Sequence, residues 1–139
     1  MAKGKSRITF LYQPDFISEE QLVQALNRLA NEHGRVIKEL VYEFVSREKI
    51  IEINTNYLQH YYETDIVTFD YSVGSKVSAQ IYICTDVVID NAKDQGVTAT
   101  EELNRVIFHG LLHVLGYNDH TNEERAEMRS MEDACLRRI

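Results

Sequence analysis

Hydrophobic and polar residues along the chain follow patterns that predict four β-strands. The segments concerned alternate in polarity or are rich in β-branched and aromatic side chains, which favour an extended backbone. Pro14 ends the first strand, and a turn at Gly74 joins the last two as an antiparallel hairpin. The strands are predicted over residues 7–13, 39–46, 66–71 and 77–84. A helix continuing from Arg35 is the alternative for the second of them.

Apolar residues recur at helical spacing between and after these strands. Three of the predicted helices begin with a capping-box signature, in which a Ser or Thr is followed three positions later by Gln or Glu. The signatures are Ser18 with Gln21, Thr98 with Glu101 and Thr121 with Glu124. Gly34 and Gly116 are the expected ends of the first two helices, and shorter helices are predicted over 48–57 and 86–94. This order predicts a single α+β domain over residues 1–139, with helices packed on a small mixed sheet of about four strands.

The composition agrees with one compact domain and limits the function. The chain has 139 residues, of which 44% are hydrophobic, and its formal net charge is −7. An acidic protein is not expected to coat nucleic acid or an anionic membrane, although the net charge does not exclude a local basic cleft. No stretch approaches the roughly 18 apolar residues of a membrane span, and no apolar signal region follows the basic N-terminus. Cys84 and Cys135 are expected to be reduced core thiols in a cytoplasmic protein.

Candidate chemistry is concentrated in one segment, where His109, His113 and His120 fall within twelve residues. Residues four apart on a helix lie one above the other, so the first two imidazoles can point at a single metal ion. The pair lies at the border of the apolar stripe of its helix, where the core holds a ligand that faces a cleft. Gly116 then breaks the helix, and the chain can turn so that His120 approaches the same point. Three histidines on a tetrahedral ion leave one position open, which is the catalytic arrangement.

The residue types leave the metal and the reaction open. Zinc fits imidazole ligands best, while nickel, copper and iron also bind imidazole. The position after the first histidine, which is a general-base Glu in His-Glu-x-x-His metalloproteases, is Gly110. A glycine inside a helix indicates either the close approach of a strand or substrate, or a tolerated packing position. Asp119 can orient an imidazole or act as a base, or it is a turn residue before the last helix.

Three motifs of the chain resemble the YbeY family of zinc-dependent endoribonucleases. The first is the run from His109 to Tyr117, His-Gly-Leu-Leu-His-Val-Leu-Gly-Tyr, which is followed by Asp119 and His120. The second comprises Ile53, Asn54 and Tyr57 with the segment Thr-Asp-Ile-Val-Thr-Phe over 64–69, and the third is the strand over 81–84 before Ala92 and Lys93. The motifs cover roughly residues 50–136 in the family's order and spacing.

Membership of this family implies an α+β domain with a zincin-like metal-binding helix and one zinc ion per chain. The implied ligands are His109, His113 and His120, which are then catalytic through the metal, and Asp119 is a further catalytic candidate. The implied activity is cleavage of single-stranded RNA, in 3′-end maturation of small-subunit (16S) ribosomal RNA and in ribosome quality control. The implied partners are the RNA precursor and the small ribosomal subunit or its assembly factors in the cytoplasm, with no membrane and no DNA.

The chain departs from the family pattern around the third ligand. Six residues separate His113 from His120, whereas the usual spacing is five, as if Asn118 were inserted. Ligand chemistry favours His120 as the third ligand, and Asp119 is the alternative. A second departure, Ala-Gln-Ile over 79–81 in place of the common Gly-Asp-Ile, removes one carboxylate.

A third departure concerns phosphate binding. Leu58 stands where many members carry an Arg, so a cation able to hold a phosphate is missing there. Arg105, Arg125 and Arg129 lie near the candidate site in the sequence and are the alternatives for this task. Each of them is otherwise an ordinary solvated charge.

Two other functions are compatible with the same residues. A metal-dependent hydrolase of peptides or small molecules would use the same ligands, although the Glu of the peptidase motif is absent. A non-catalytic, metal-stabilised binding module of ribosome assembly would need no turnover. His33 and His60 lie apart from the motifs and are assigned no role.

Overall fold

The computed structural model describes residues 6–58 and 64–139, which form four strands and five α-helices. The strands are β1 (Arg7–Leu11), β2 (Val36–Val45), β3 (Ile66–Asp70) and β4 (Lys76–Cys84). The helices are α1 (Glu19–Glu32), α2 (Arg47–Ile53), α3 (Thr85–Gln95), α4 (Ala99–Val114) and α5 (Asn122–Leu136). A π-helical turn over Asn54–Leu58 follows α2.

The strands form one mixed sheet in the order β1-β2-β4-β3. β1 pairs with β2, and β2 with β4, in parallel, whereas β3 is antiparallel to β4 and lies at an edge. The register aligns Phe10, Tyr42, Ile81 and Thr68 in one row across the sheet. The first three of these side chains are buried in the core. Thr68, at the edge-strand end of the row, lines a cleft.

The main core lies on one face of the sheet, between the strands and the helices α1, α4 and α5. α4 packs against both of these helices and against α3, β3 and β4. Its residues Leu103, Ile107 and Leu111 have no exposed surface. A smaller cluster on the opposite face joins α2 to β3 and β4. The histidines of α4 are therefore carried by a helix whose position is fixed from several sides.

The predicted α+β fold with a four-stranded mixed sheet is confirmed. Each predicted strand and helix is present, with its ends shifted by a few residues. The segment 39–46 lies in β2, so the alternative of a helix continuing from Arg35 is wrong. The first strand ends at Leu11 because Tyr12 has a φ of 59°, which interrupts the extended backbone. The predicted helix over 48–57 is α2 followed by the π-helical turn.

The capping signatures mark the helix starts correctly, but only part of the expected bonding forms. Thr121 and Glu124 make both hydrogen bonds of a capping box, and the Thr98 side chain accepts from the backbone N–H of Glu101. Ser18 occupies the N-cap of α1, yet its side chain makes no capping hydrogen bond. The prediction of a capping box at Ser18 is therefore wrong, while the predicted start of the helix is right.

Two expectations from the composition can be compared with the structure. Cys84 and Cys135 are buried free thiols, as predicted. Among the residues that the structure describes, none of the helices has the length and apolar character needed to cross a membrane.

Gly110 is the point at which α4 comes closest to the sheet. A Cβ atom at this position would lie 2.9 Å from Ile81 Cδ1 and 3.1 Å from Ile66 Cδ1. Ile81 is fully buried, so its side chain has little room to move away. The close approach of strands is therefore the reason for this glycine, and it brings the neighbouring His109 near β3.

Tyr42 joins the sheet to α4, because its buried hydroxyl donates a 2.8 Å hydrogen bond to the carbonyl oxygen of Ile107. We expect Tyr42→Phe to lower the free energy of unfolding by about 1 kcal/mol, since one buried hydrogen bond is lost while the ring remains. Urea unfolding followed by circular dichroism measures the change. Tyr71→Phe, at a side chain that is 64% exposed, is the matched control and should leave stability unchanged. Equal stability of the two variants would show that the Tyr42 bond contributes nothing.

Candidate metal centre

A cleft of about 500 Å³ lies between β3, α4 and α5. One wall is formed by residues 64–68, which include the start of the edge strand β3. α4 contributes both of its histidines, and α5 contributes Arg129 and Glu132. Asp119, from the loop between the two helices, completes the charged part of the lining. Three separate segments of the chain therefore meet at the two histidines.

His109 is fixed by a row of charged groups that joins α4 to α5. Its Nδ1 atom lies 2.7 Å from Oε2 of Glu132, whose Oε1 accepts a 3.1 Å hydrogen bond from Arg105. Arg105 also donates a 2.8 Å hydrogen bond to Asp133. Glu132 is 5% exposed and Arg105 is 8% exposed. Because an ionised carboxylate can only accept, Nδ1 of His109 carries the proton, and its Nε2 is left facing the cleft.

Three titratable groups of the cleft, His109, Asp65 and Glu102, have raised pKa values. Burial opposes protonation of His109, but the hydrogen bond and charge of Glu132 outweigh it, so the pKa of His109 is raised above 6.5. Burial also raises the pKa of the Asp65 and Glu102 carboxyl groups. Glu102 is 5% exposed, and its Oε1 has no hydrogen-bond partner among the described residues. Such shifted groups in one cleft are typical of a functional site.

The loop between α4 and α5 is anchored at its first turn to α1. It begins at Gly116, whose φ of 112° is a conformation that side chains rarely adopt. The Tyr117 hydroxyl lies 2.8 Å from Nε2 of His33, and Nδ1 of His33 donates a 2.8 Å hydrogen bond to the Leu29 carbonyl oxygen. His33, which the sequence analysis left without a role, therefore holds the loop that follows the two histidines.

The second half of this loop is fixed by the first turn of α5. Arg125 donates hydrogen bonds to the carbonyl oxygens of Asp119 and His120, at 3.2 Å and 3.1 Å. Oε1 of Glu124 accepts from the backbone N–H groups of His120 and Thr121, both at 3.0 Å. With its backbone held in this way, Asp119 places Oδ2 at 3.7 Å from Nε2 of His109.

The structure brings two of the three candidate histidines together with Asp119. His109 and His113 lie one turn apart on α4 and both line the cleft, as their spacing predicts. Asp119 lines the same cleft, whereas His120 is an exposed residue outside its lining. Of the two sequence alternatives for a third ligand, only Asp119 therefore faces the cleft.

The donors in the cleft suit a zinc ion in their chemistry. The 3.7 Å between Nε2 of His109 and Oδ2 of Asp119 is close to the roughly 3.4 Å between two ligand atoms on a tetrahedral zinc ion. The contact of His109 Nδ1 with Glu132 is the carboxylate support typical of a metal-binding histidine. Within residues 6–58 and 64–139, however, no three His, Cys, Asp or Glu side chains already converge enough to hold an ion. An ion shared by these residues would therefore need His113 and Asp119, both exposed, to turn their side chains toward it.

The sequence analysis missed Glu132 and gave Asp65 and Glu102 no role. Glu132 follows the buried Met128 by four residues and precedes the buried Cys135 by three, so it lies on the inward stripe of α5. A charged residue on such a stripe is the signal that identifies it, because buried charges need partners. Arg105 is that partner, and the interpretation of Arg105 as a solvated charge is wrong. His60 lies outside the described residues.

Comparisons with known proteins agree with the motifs. A family model described as "Endoribonuclease YbeY" matches residues 12–139. A relative of that name from Bacteroides thetaiotaomicron is 41% identical over 88% of this chain and 89% of its own length. Another from Cytophaga hutchinsonii is 46% identical over 80% of this chain and 78% of its own length. The solution structure of a Thermotoga maritima protein, 24% identical, matches the fold with a TM-score of 0.66 over 94% of this chain and 87% of the other.

We expect Glu132→Gln to lower the pKa of His109, because the charge that favours the imidazolium is removed. Proton NMR titration of the metal-free protein measures this pKa directly. Asp119→Asn removes a carboxylate that contributes less, so it should lower the pKa by a smaller amount. An unchanged titration of His109 in Glu132→Gln would contradict the hydrogen bond between the two residues.

The same pair predicts a pH dependence of stability for the metal-free protein. The pKa of His109 in the folded protein is raised above 6.5, so protonation of His109 stabilises the fold. This contribution is fully present well below pH 6.5 and is lost as the pH rises through the folded-state pKa. The free energy of unfolding in urea, measured at a series of pH values, should therefore fall as the pH rises through this pKa, and should fall less in Glu132→Gln.

Proposed function

This chain belongs to the endoribonuclease YbeY family, and on that premise we propose that it is a metal-dependent endoribonuclease acting on single-stranded RNA. The observation that supports this most directly is the cleft at His109, where a buried carboxylate orients one imidazole toward a second carboxylate. The RNA proposed as substrate is the precursor of small-subunit ribosomal RNA, cut in its 3′-end maturation and in ribosome quality control. We assign the activity to a single domain that spans residues 1–139.

The proposed metal is zinc, held by His109, His113 and Asp119. The three residues line one cleft, and two imidazoles with one carboxylate are a common zinc donor set. The usual family spacing of five intervening residues, here 114–118, also places the third ligand at Asp119. His120 is the alternative third ligand. A zinc ion bound there would act as a Lewis acid on a phosphoryl oxygen of the substrate.

The residues around this centre have distinct tasks. Glu132 keeps the proton on Nδ1 of His109, so that Nε2 is always the atom presented to the cleft. Arg105 balances the charge of Glu132 in a buried position. Asp65 lies across the cleft on the β3 side, and burial raises the pKa of its carboxyl group, as in carboxyl groups that serve as general acids or bases. We assign to Asp65 the transfer of a proton during cleavage.

The net charge of −7 affects how RNA comes to the cleft. An acidic protein attracts free RNA weakly, so an assembling small ribosomal subunit or its assembly factors would bring the substrate strand to the cleft. Ribosome assembly also makes the cytoplasm the proposed location.

The other functions considered for this chain have less support. Gly110 stands at the position of the general-base Glu in the peptidase motif. It packs directly against β3 and β4, so this position offers no base for peptide hydrolysis. A binding module without turnover would have no need for carboxyl groups with raised pKa in the cleft.

The metal ligands can be tested by elemental analysis of protein purified without chelators. We expect about one zinc ion per chain in the wild type and a loss of most of it in His113→Ala and in Asp119→Ala, because each removes one of three ligands. His120→Ala is the matched control and should keep its zinc. Zinc lost from His120→Ala and kept by Asp119→Ala would make His120 the third ligand instead.

The activity can be tested with short RNA substrates analysed on denaturing gels. The zinc-loaded protein should cleave single-stranded RNA, leave the same strand uncut in a duplex, and leave casein intact. His113→Ala should be inactive, and Asp65→Asn should keep its zinc while losing cleavage by about a hundredfold, in the range of one acid–base group. Folding of both variants is checked by circular dichroism. Absence of RNA cleavage by the zinc-loaded wild type, with retained function of His113→Ala in cells, would support the binding module.

A further inference from the structure

The arginines near the cleft differ sharply in what they already bind. Arg105 is buried, and its guanidinium donates to both Glu132 and Asp133. Arg125 donates to the carbonyl oxygens of Asp119 and His120 and also to the side chain of Asn122. Both guanidinium groups are therefore used in holding the protein together.

Arg129 is in a different situation. It is exposed, it lines the cleft, and it has no hydrogen bond or ion pair with any residue in 6–58 or 64–139. Among the described residues, Arg105 and Arg129 supply the cationic side chains of the lining apart from its histidines. Since Arg105 is occupied, Arg129 is the arginine of the lining whose guanidinium donors are unused within these residues, although its charge also acts on Glu102 and Asp133.

The position of Arg129 on α5 places it beside the metal ligands. It precedes Glu132 by three residues and follows Arg125 by four, so all three lie on the same side of the helix. Glu132 contacts His109, and Arg125 holds the loop that carries Asp119. Arg129 therefore lies between the two points at which α5 fixes the candidate ligands.

The charges of the cleft explain why a substrate phosphate needs this cation. Four carboxyl groups line the cleft, those of Asp65, Glu102, Asp119 and Glu132, against the guanidinium groups of Arg105 and Arg129. The charge of Arg129 reaches into the cleft: burial raises the pKa of Glu102, and the positive charge of Arg129 partly offsets that rise. With these carboxyl groups ionised, the two guanidinium groups and a divalent ion would only balance their charge, so the cleft would offer an RNA strand no net positive charge apart from the histidines.

We propose that Arg129 binds a backbone phosphate of the RNA next to the phosphate that is cut. This inference rests on the proposed function, and it adds a substrate-binding residue on the α5 wall of the cleft. A guanidinium can grip two phosphate oxygens at once, which fixes the strand in one register over the metal ligands.

The test is the affinity of the zinc-loaded protein for a fluorescent single-stranded oligonucleotide with 2′-O-methyl groups, measured by anisotropy between about 50 and 200 mM salt. The integrity of the oligonucleotide is checked on a gel afterwards. Arg129→Ala should raise Kd about tenfold and reduce the slope of log Kd against log salt by about 0.7, the value for one contact to a single strand. Arg129→Lys should keep the slope and lose part of the affinity, since a point charge remains without the paired hydrogen bonds.

The matched control is Arg28→Ala, which removes the same charge from an exposed position on α1 outside the cleft lining. It should stay within about twofold of the wild type with an unchanged salt slope. Zinc content is measured for every variant. Binding by Arg129→Ala that equals binding by Arg28→Ala overturns the inference, as does an affinity loss that merely follows a loss of zinc.

Failure of this inference can be told apart from failure of the proposed function. A wild type that cleaves single-stranded RNA, with an Arg129→Ala variant that binds normally, removes the role of Arg129 and leaves the nuclease in place. A wild type that neither binds nor cleaves single-stranded RNA removes both.

Discussion

The carboxylate of Glu132 holds together the part of the molecule on which the site depends. It contacts Arg105 and His109, which lie four residues apart on α4, so one side chain of α5 is fastened to two successive turns of its neighbour. Removing one partner of a buried ion pair typically costs about 3–5 kcal/mol, because the other charge is left unpaired. α5 therefore cannot slide along α4. Since α5 also fixes the loop before it, this docking sets the distance between His109 and Asp119.

Features that follow from local periodicity were predictable from the sequence. The N-cap, the apolar stripe and the glycine that follows predict α4. The spacing of His109 and His113 places both on one side of that helix. The glycine at position 110 is also visible as an exception to the helical pattern, but the side chains of β3 and β4 that require it cannot be read from that pattern. The sequence therefore predicts the helix and two of the cleft-lining histidines, but not the contacts that other elements make with them.

The remaining parts of the site depend on contacts between residues far apart in the chain. Glu132 is 23 residues from His109, and the pair between His33 and Tyr117 spans 84 residues. The second of these contacts anchors the loop in which Asp119 faces the cleft and His120 does not. The spacing in the sequence could therefore offer both as candidate ligands, because tertiary hydrogen bonds determine which of the two lines the cleft.

The order of the elements also determines when the site comes into being during synthesis. α5 follows every other helix and strand described, so His109 is synthesised 23 residues before the carboxylate that orients it. At about 5–20 residues per second this interval lasts on the order of one to five seconds. Through that time the imidazole lacks the carboxylate that orients it, and the loop of Asp119 lacks its hydrogen bonds to α5. A protein that cuts RNA would thus have an incomplete site while its nascent chain is still surrounded by the RNA of the ribosome that makes it.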